Sequence, residues 1–381
     1  MDFDVPEELA ALVHVARQFR QRELDPLESD FLLTGRLDGA VRERIDARAK
    51  AAGLWALEVP VEYGGQGIGL LGMCLVAEEM FKHPAMYLFG GNPEPILFEG
   101  TEDQKQRYLH PVITGELRGC YAFTEPDAGS DMARMRTRAV QDGDEWVING
   151  TKTFISRADD ADFVILYAST GIEDGDPGTT CFLVDKGTPG FDVSRVIPTM
   201  GDGWEPCLLT FDDCRVPDRN RLGEVGQGWS LGGDQLTHGR IKIAAYQLGI
   251  AQRCLDLAVD WAKQRTTWGK PLAARQGIQW HIADSEVELQ AARMLVYRAA
   301  WMADQGRDVT LDAFVAKLYA TEMASRVTDR CLQVLGGLGY TKELPIQSLY
   351  RQARLWRIGH GASEILRWMI ARNILGPAAK D

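Results

Sequence analysis

No stretch of this sequence approaches twenty consecutive apolar residues, so nothing in it reads as a membrane-spanning helix. The opening Met1-Asp2-Phe3-Asp4 carries acid where a signal or transit peptide carries base, and no targeting segment is expected. Cysteines are few, odd in number and never spaced C-x-x-C. The seven, at 74, 120, 181, 207, 214, 254 and 331, argue against a disulfide framework and against a zinc site, and they fit a reducing cytoplasm. An excess of base is also missing. With 42 Lys and Arg against 54 Asp and Glu, the formal charge is −12, which does not suit a nucleic-acid backbone as partner. No internal repeat or low-complexity segment is present.

The 381 residues, 45% of them hydrophobic, exceed one ordinary core and suffice for two or three domains. Over 6–117 apolar residues recur at three and four, as in Leu9, Leu12, Val13 and Ala16, which predicts a bundle of helices. Asp4 and Glu7 stand ahead of that first stripe as an N-terminal capping arrangement. From about 119 to 227 the texture changes to short β-rich runs such as Trp146-Val147-Ile148 and Phe163-Val164-Ile165-Leu166-Tyr167, bounded by turn residues. An antiparallel β domain is expected there. Helical periodicity returns over 229–375, with Gln247, Ala251 and Cys254 and then Leu289, Ala292 and Leu295 marking helices long enough for a four-helix bundle. The expected fold is therefore α+β, with a helical domain at 1–118, a β domain at 119–227 and a helical bundle at 228–381. Gly67-x-Gly69-x-x-Gly72 matches a dinucleotide fingerprint, but it has no strand before it and reads as a turn entering a helix.

Four segments carry chemistry. In Tyr121-Ala122-Phe123-Thr124-Glu125-Pro126-Asp127-Ala128-Gly129-Ser130-Asp131, a small-residue turn offers free backbone N–H groups and the hydroxyls of Thr124 and Ser130. Asn149-Gly150-Thr151-Lys152-Thr153-Phe154-Ile155-Ser156 places an aromatic ring and a hydroxyl on one strand. Arg265-Thr266-Thr267-Trp268-Gly269-Lys270, followed by Gln276, supplies a planar guanidinium suited to pyrophosphate. The last runs from Gln333-Val334-Leu335-Gly336-Gly337-Leu338-Gly339-Tyr340 through Arg351 and Arg354 to Gly361-Ala362-Ser363-Glu364-Ile365, with glycines that permit close backbone approach.

Together and in this order these segments resemble the signatures of the acyl-CoA dehydrogenase family. The resemblance implies a three-domain homotetramer with FAD, an acyl-CoA substrate, α,β-dehydrogenation to the 2-enoyl thioester, and an electron-transfer flavoprotein as acceptor. It assigns Tyr121, Thr124, Ser130, Phe154, Ile155, Ser156, Arg265, Trp268, Gln276, Gln333, Gly336, Gly337, Ala362 and Glu364 to the cofactor. To the substrate it assigns Ser130, Thr237, Arg240, Gly361 and Glu94, and no metal is implied. Phe154 stands where the family usually has Trp.

The family's base is absent. Most members carry Glu directly before the glycine of the closing signature, where this chain has His360, and some carry it before an arginine matched by Arg240, where this chain has Gly239. Neutral imidazole is a competent base near pH 7, so His360 is the expected catalytic residue, with a rate rising through about pH 6 to 7. The alternatives are an enoyl-CoA reductase or desulfinase-like lyase on the same fold, and a non-catalytic subunit of a mixed tetramer. Glu94, in Asn92-Pro93-Glu94-Pro95-Ile96, reads first as a surface-loop carboxylate and second as a displaced base or specificity determinant. The depth of the acyl pocket is expected to depend on how Tyr87, Glu94 and the helix near Ile96 pack, and His238 reads as structural.

Overall fold

A computed structural model describes residues 4–171, 178–203, 205–231 and 235–379. Helices α1 (Glu7–Phe19), α2 (Gly39–Ala51) and α3 (Gly69–Met80) form most of the N-terminal part. The capping expected from Asp4 and Glu7 is not what starts α1: its N-cap is Pro6, with no side-chain cap. Proline presets the backbone there, and Glu7 and Glu8 complement the helix dipole from the first turn. The glycine triplet opens α3 with positive φ at Gly67 and Gly69. What meets that helix N-terminus is a carboxylate of the same chain: the N–H groups of Leu70 and Leu71 donate to Asp304 at 2.6 and 2.9 Å. The triplet thus docks a helix and holds no dinucleotide phosphate.

Eight strands follow: β1 (Gly119–Ala122), β2 (Arg138–Asp142), β3 (Glu145–Ser156), β4 (Phe163–Ser169), β5 (Thr179–Asp185), β6 (Phe191–Val196), β7 (Pro206–Pro217) and β8 (Arg221–Leu222). They form one sheet in the order β6-β7-β3-β2-β4-β5-β8, with β1 on β4. The sheet is antiparallel at β2–β3, β3–β7, β4–β5, β5–β8 and β6–β7, as expected, and among the described residues departs from that only where β1 runs parallel to β4 and β2 meets β4 in parallel at Arg138 and Ser169. Sequence alternation reports which face a residue takes and is blind to strand direction. Gly119 makes the β1 pairing possible, because a Cβ there would lie 2.6 Å from the Phe163 ring. Trp146, Ile148, Leu166, Phe182 and Leu209 fill the core on one side of the sheet.

Helices α4 (Gln235–Gln264), α5 (Gln276–Asp304), α6 (Thr310–Leu335), α7 (Ile346–Leu355) and α8 (Ser363–Leu375) complete the molecule. The first three run to 30, 29 and 26 residues, as the long periodicity predicts. Their buried faces are rich in small residues, among them Ala244, Ala251, Ala258, Ala292, Ala316 and Ala320, so the axes approach closely. At Gly249 a Cβ would overlap the carbonyl oxygen of Glu78, which fixes α3 against α4. No helix among the described residues is long and apolar enough to cross a membrane.

Candidate active site

Between α7 and α8 the chain turns through His360 and Gly361 with φ of +53° and +96°. A non-glycine residue adopts that conformation only when its surroundings hold it. Two cations do so: Arg240 Nε donates to the His360 carbonyl at 3.3 Å and Lys317 Nζ to the Gly361 carbonyl at 2.6 Å. The imidazole is thereby pinned between α4 and β1. Its Nε2 meets the Tyr121 hydroxyl at 3.0 Å, while Nδ1 is buried without a hydrogen-bond partner among the described residues. Gly239 faces it from α4, where a Cβ would lie 3.5 Å from Nδ1. The two positions at which a family base is expected therefore converge on one point, and imidazole is the group that occupies it.

Burial, reinforced by Arg240, Lys317 and Lys242, pulls the His360 pKa down to about 4. This corrects the expectation of a titration between pH 6 and 7, since the ring is buried and, among the described residues, cations from α4 and α6 face it while no carboxylate pairs with it. Lys317 is itself drawn down to about 7, by burial and then by Arg240, against the pull of Glu322. Tyr121 is pushed well above the ordinary phenol range by burial and by Glu94, so it remains protonated.

Glu94 is not a surface-loop carboxylate. It is half-buried, accepts a hydrogen bond from Gln235 Nε2, and has its pKa raised by desolvation. Tyr87 turns away from this site, stacking within the N-terminal core and donating to Asp46 at 2.6 Å. Ile96 is fully buried. Thr237 is buried on the first turn of α4, and Arg240 lies over the Phe314 ring at 5.0 Å. Lys317, Lys242, Glu58, Gln235 and Tyr246 were not singled out by sequence. The spacing 235, 239, 242, 246 was a legible signal, since those positions share one helix face.

On the β side a buried ion pair joins two of the predicted segments. Lys152 Nζ donates to Glu125 at 2.8 Å and to the Phe123 carbonyl at 2.9 Å, and Thr153 N–H donates to the Thr124 carbonyl at 2.8 Å. Beyond Lys152 the pairing of β3 with β7 slips before Ile155, and Phe154 bulges outward with φ +57° and 61% of its surface exposed. Ile155 is buried and Ser156 exposed beside it, while Gly129 and Ser130 open onto free space. Arg265, Trp268, Gln276, Gln333, Gly336 and Gly337 are all exposed, on the hairpin before α5, at the start of α5 and at the end of α6. Ala362 is half-buried and Glu364 exposed at the start of α8. Nothing in these placements joins the second group to the first.

Family models match the chain in three consecutive blocks: residues 6–116 the acyl-CoA dehydrogenase N-terminal domain, 120–214 its middle domain and 226–375 its C-terminal domain. The chain belongs to the acyl-CoA dehydrogenase family. It is 38% identical to acryloyl-CoA reductase (NADH) of Anaerotignum propionicum over 98% of this chain and 96% of that one. It is 32% identical to the solved butyryl-CoA dehydrogenase of Megasphaera elsdenii, with a TM-score of 0.90 over 98% and 100% of the two chains. A solved FAD complex of PigA gives a TM-score of 0.90 at 28% identity, covering 98% of this chain and 99% of that one.

As an acyl-CoA dehydrogenase family member the chain is a flavoprotein oxidoreductase, and FAD is the cofactor its residues must fit. They do. A flat apolar ring at Phe154, held outward by a bulge, shares its strand with the exposed hydroxyl of Ser156, and the segment carrying the open Gly129-Ser130 turn is tied to that strand through Lys152 and Glu125. That mixture of apolar face and free donors matches an aromatic ring system with a polar edge and a phosphate tail.

Proposed function

We propose that this acyl-CoA dehydrogenase family enzyme removes hydrogen from the α and β carbons of an acyl-CoA thioester, with His360 as the acceptor of the α-proton. The observation that carries the reading is the position of one ring: an imidazole held at Nε2 by Tyr121 at the point where the turn before α8 and Gly239 of α4 meet, with burial favouring its neutral form. FAD, when bound, supplies the acceptor for hydride from the β-carbon. The protein's part is to position and to move a proton. Arg240 and Lys317 hold the turn, and the tautomer that donates Nε2–H to the Tyr121 oxygen leaves Nδ1, unpartnered among the described residues, as the nitrogen that accepts the α-proton. Thr124, Ser130, Phe154, Ile155 and Ser156 form the flavin-side wall, with Ala362 and Glu364 beyond the turn. Arg265, Trp268, Gln276, Gln333, Gly336 and Gly337, exposed on one chain, complete the cofactor site of a neighbouring copy in a homotetramer. An electron-transfer flavoprotein in the cytoplasm takes the electrons onward.

A second reading runs the same site backwards. An imidazolium with a pKa of about 4 is a better proton donor than an ordinary histidine, and a relative 38% identical over 98% of this chain is named a reductase. Anaerobic titration separates the two. Bleaching of the oxidised flavin by saturated acyl-CoAs supports dehydrogenation, whereas reoxidation of the pre-reduced enzyme by 2-enoyl-CoAs, with no bleaching, supports reduction. His360→Ala is expected to retain FAD and to lose about 10²- to 10⁴-fold in the rate of flavin reduction. An unchanged rate would remove His360 from the chemistry.

A further inference from the structure

The polar groups that surround His360 on the side of α4 and the N-terminal loops point to a substrate more specific than an alkyl thioester. Gln235, Gly239, Lys242 and Tyr246 fall at i, i+4, i+7 and i+11 of α4 and so line one face. Gly239 locates that face, because it lies directly against His360. Tyr246 confirms it from the other end: it meets Trp356 edge-on at 5.9 Å, and Trp356 lies 6.4 Å from the His360 ring. Two carboxylates from the N-terminal loops close over the stripe. Glu94 takes the hydrogen bond of Gln235, and Glu58 takes both contacts from Lys242 Nζ at 3.0 Å. The two loops are tied together, since Glu58 N–H donates to Asn92 Oδ1 at 2.9 Å. From β1, Tyr121 completes the enclosure.

Lys242 and Glu58 satisfy one another. Among the described residues Glu94 has a single neutral donor, on one oxygen, and burial opposes its charged form. A purely alkyl chain laid here would bury that carboxyl group without offering it a partner, which is costly. A tail with a full charge meets both signs at once: a carboxylate or an ammonium finds Glu94 and Glu58 on one side and Lys242, Arg240 and Lys317 on the other, so its desolvation is offset only in part. A neutral group that both donates and accepts is suited to all of them.

Resting on the functional reading above, we infer that the acyl group carries a hydroxyl, and that Glu94, positioned by Gln235, is the residue that selects it. The test compares terminally hydroxylated four- to six-carbon acyl-CoAs with their alkyl, dicarboxylic and amino counterparts. Binding to the FAD-loaded enzyme is measured by calorimetry, and flavin reduction or reoxidation by stopped flow. The hydroxylated thioesters are expected to bind and react at least about tenfold better than the alkyl ones. Glu94→Leu should reverse that order, and Glu94→Gln, which keeps a hydrogen-bonding group, should retain part of it. Gln235→Leu, one contact removed from the substrate, should weaken the preference by an intermediate amount and serves if Glu94→Leu does not fold. Equal handling of hydroxylated and alkyl chains, or a preference for either charged tail, would overturn the inference while leaving the functional reading intact. Absence of any flavin response with any thioester would overturn the functional reading, and the binding constants would still decide the selectivity of Glu94.

Discussion

His360 lies in a left-handed backbone conformation, in a buried site, facing three cations, and each of these features opposes its protonation or its placement. The consequence for activity is a rate that depends on the neutral ring and rises with pH through about 4, so that the profile is flat by pH 6. Removing one facing cation tests this: in Lys317→Met the apparent pKa should move upward, whereas a merely structural role would lower the rate without moving it. The consequence for stability has the same origin. The folded-state pKa is depressed below the ordinary 6.5, so as pH falls from 6.5 toward 4 the unfolded chain binds a proton that the folded chain refuses, and stability declines. Buried His83, pulled down to about 3, acts in the same direction over a slightly wider window. His360→Gln should therefore flatten part of the acid limb in thermal melts taken between pH 4 and 7, and a limb unchanged in that variant would mean that the ring is far less buried than described.

At the scale of elements, the flavin-side wall proposed above depends on one ion pair with almost no solvent exposure, 0% for Lys152 and 3% for Glu125. Burial draws Lys152 down to about 8, while Glu125, against its own desolvation, is held below the usual carboxylate range by Lys152 and by the N–H groups of Arg136 and Thr137. Breaking such a pair strands the remaining charge and costs about 3–5 kcal/mol. Lys152→Met should lower the melting temperature by several degrees and loosen FAD, because the segment 121–130 and the bulge at Phe154 lose their common anchor. Lys152→Met with Glu125→Leu, which strands no charge, should recover much of the stability. A Lys152→Met protein as stable as the wild type would mean that the backbone hydrogen bond from Thr153 to Thr124 suffices. Much of this was legible: both segments were recognised from their residues, and the strand carrying Phe154 was placed correctly. The pair that locks them was not, because an isolated Lys and Glu 27 residues apart carry no periodic signal.

For the whole molecule, the exposed apolar surface sets the expectation. Trp280, Val287, Met294 and Trp301 recur every seven residues along α5 and are each 45% exposed or more, and Trp268 on the adjoining hairpin is 92% exposed. A stripe with that spacing suits another helix. In the homotetramer proposed above, Val287→Glu should shift the mass seen by light scattering toward smaller species, and FAD should be lost in parallel. A stable, fully flavin-loaded monomer would separate assembly from cofactor binding and sink the shared-site reading.

Sequence alone determined the succession of helical, β and helical parts, because periods of 3.6 and 2 are written into the order of apolar residues. It also determined the family, because glycines, hydroxyls and an arginine recur in fixed order where a flavin enzyme needs them. The identity of the group at the base position was equally plain, since His360 and Gly239 could be read directly. What only the tertiary structure decided is what surrounds that group. Strand direction in the sheet, the meeting of Gly239 with His360 across 121 positions, the three cations that depress the imidazole and the turning of Glu94 inward all depend on contacts between distant segments. A pKa is a property of such contacts, and one sequence specifies them only through the fold.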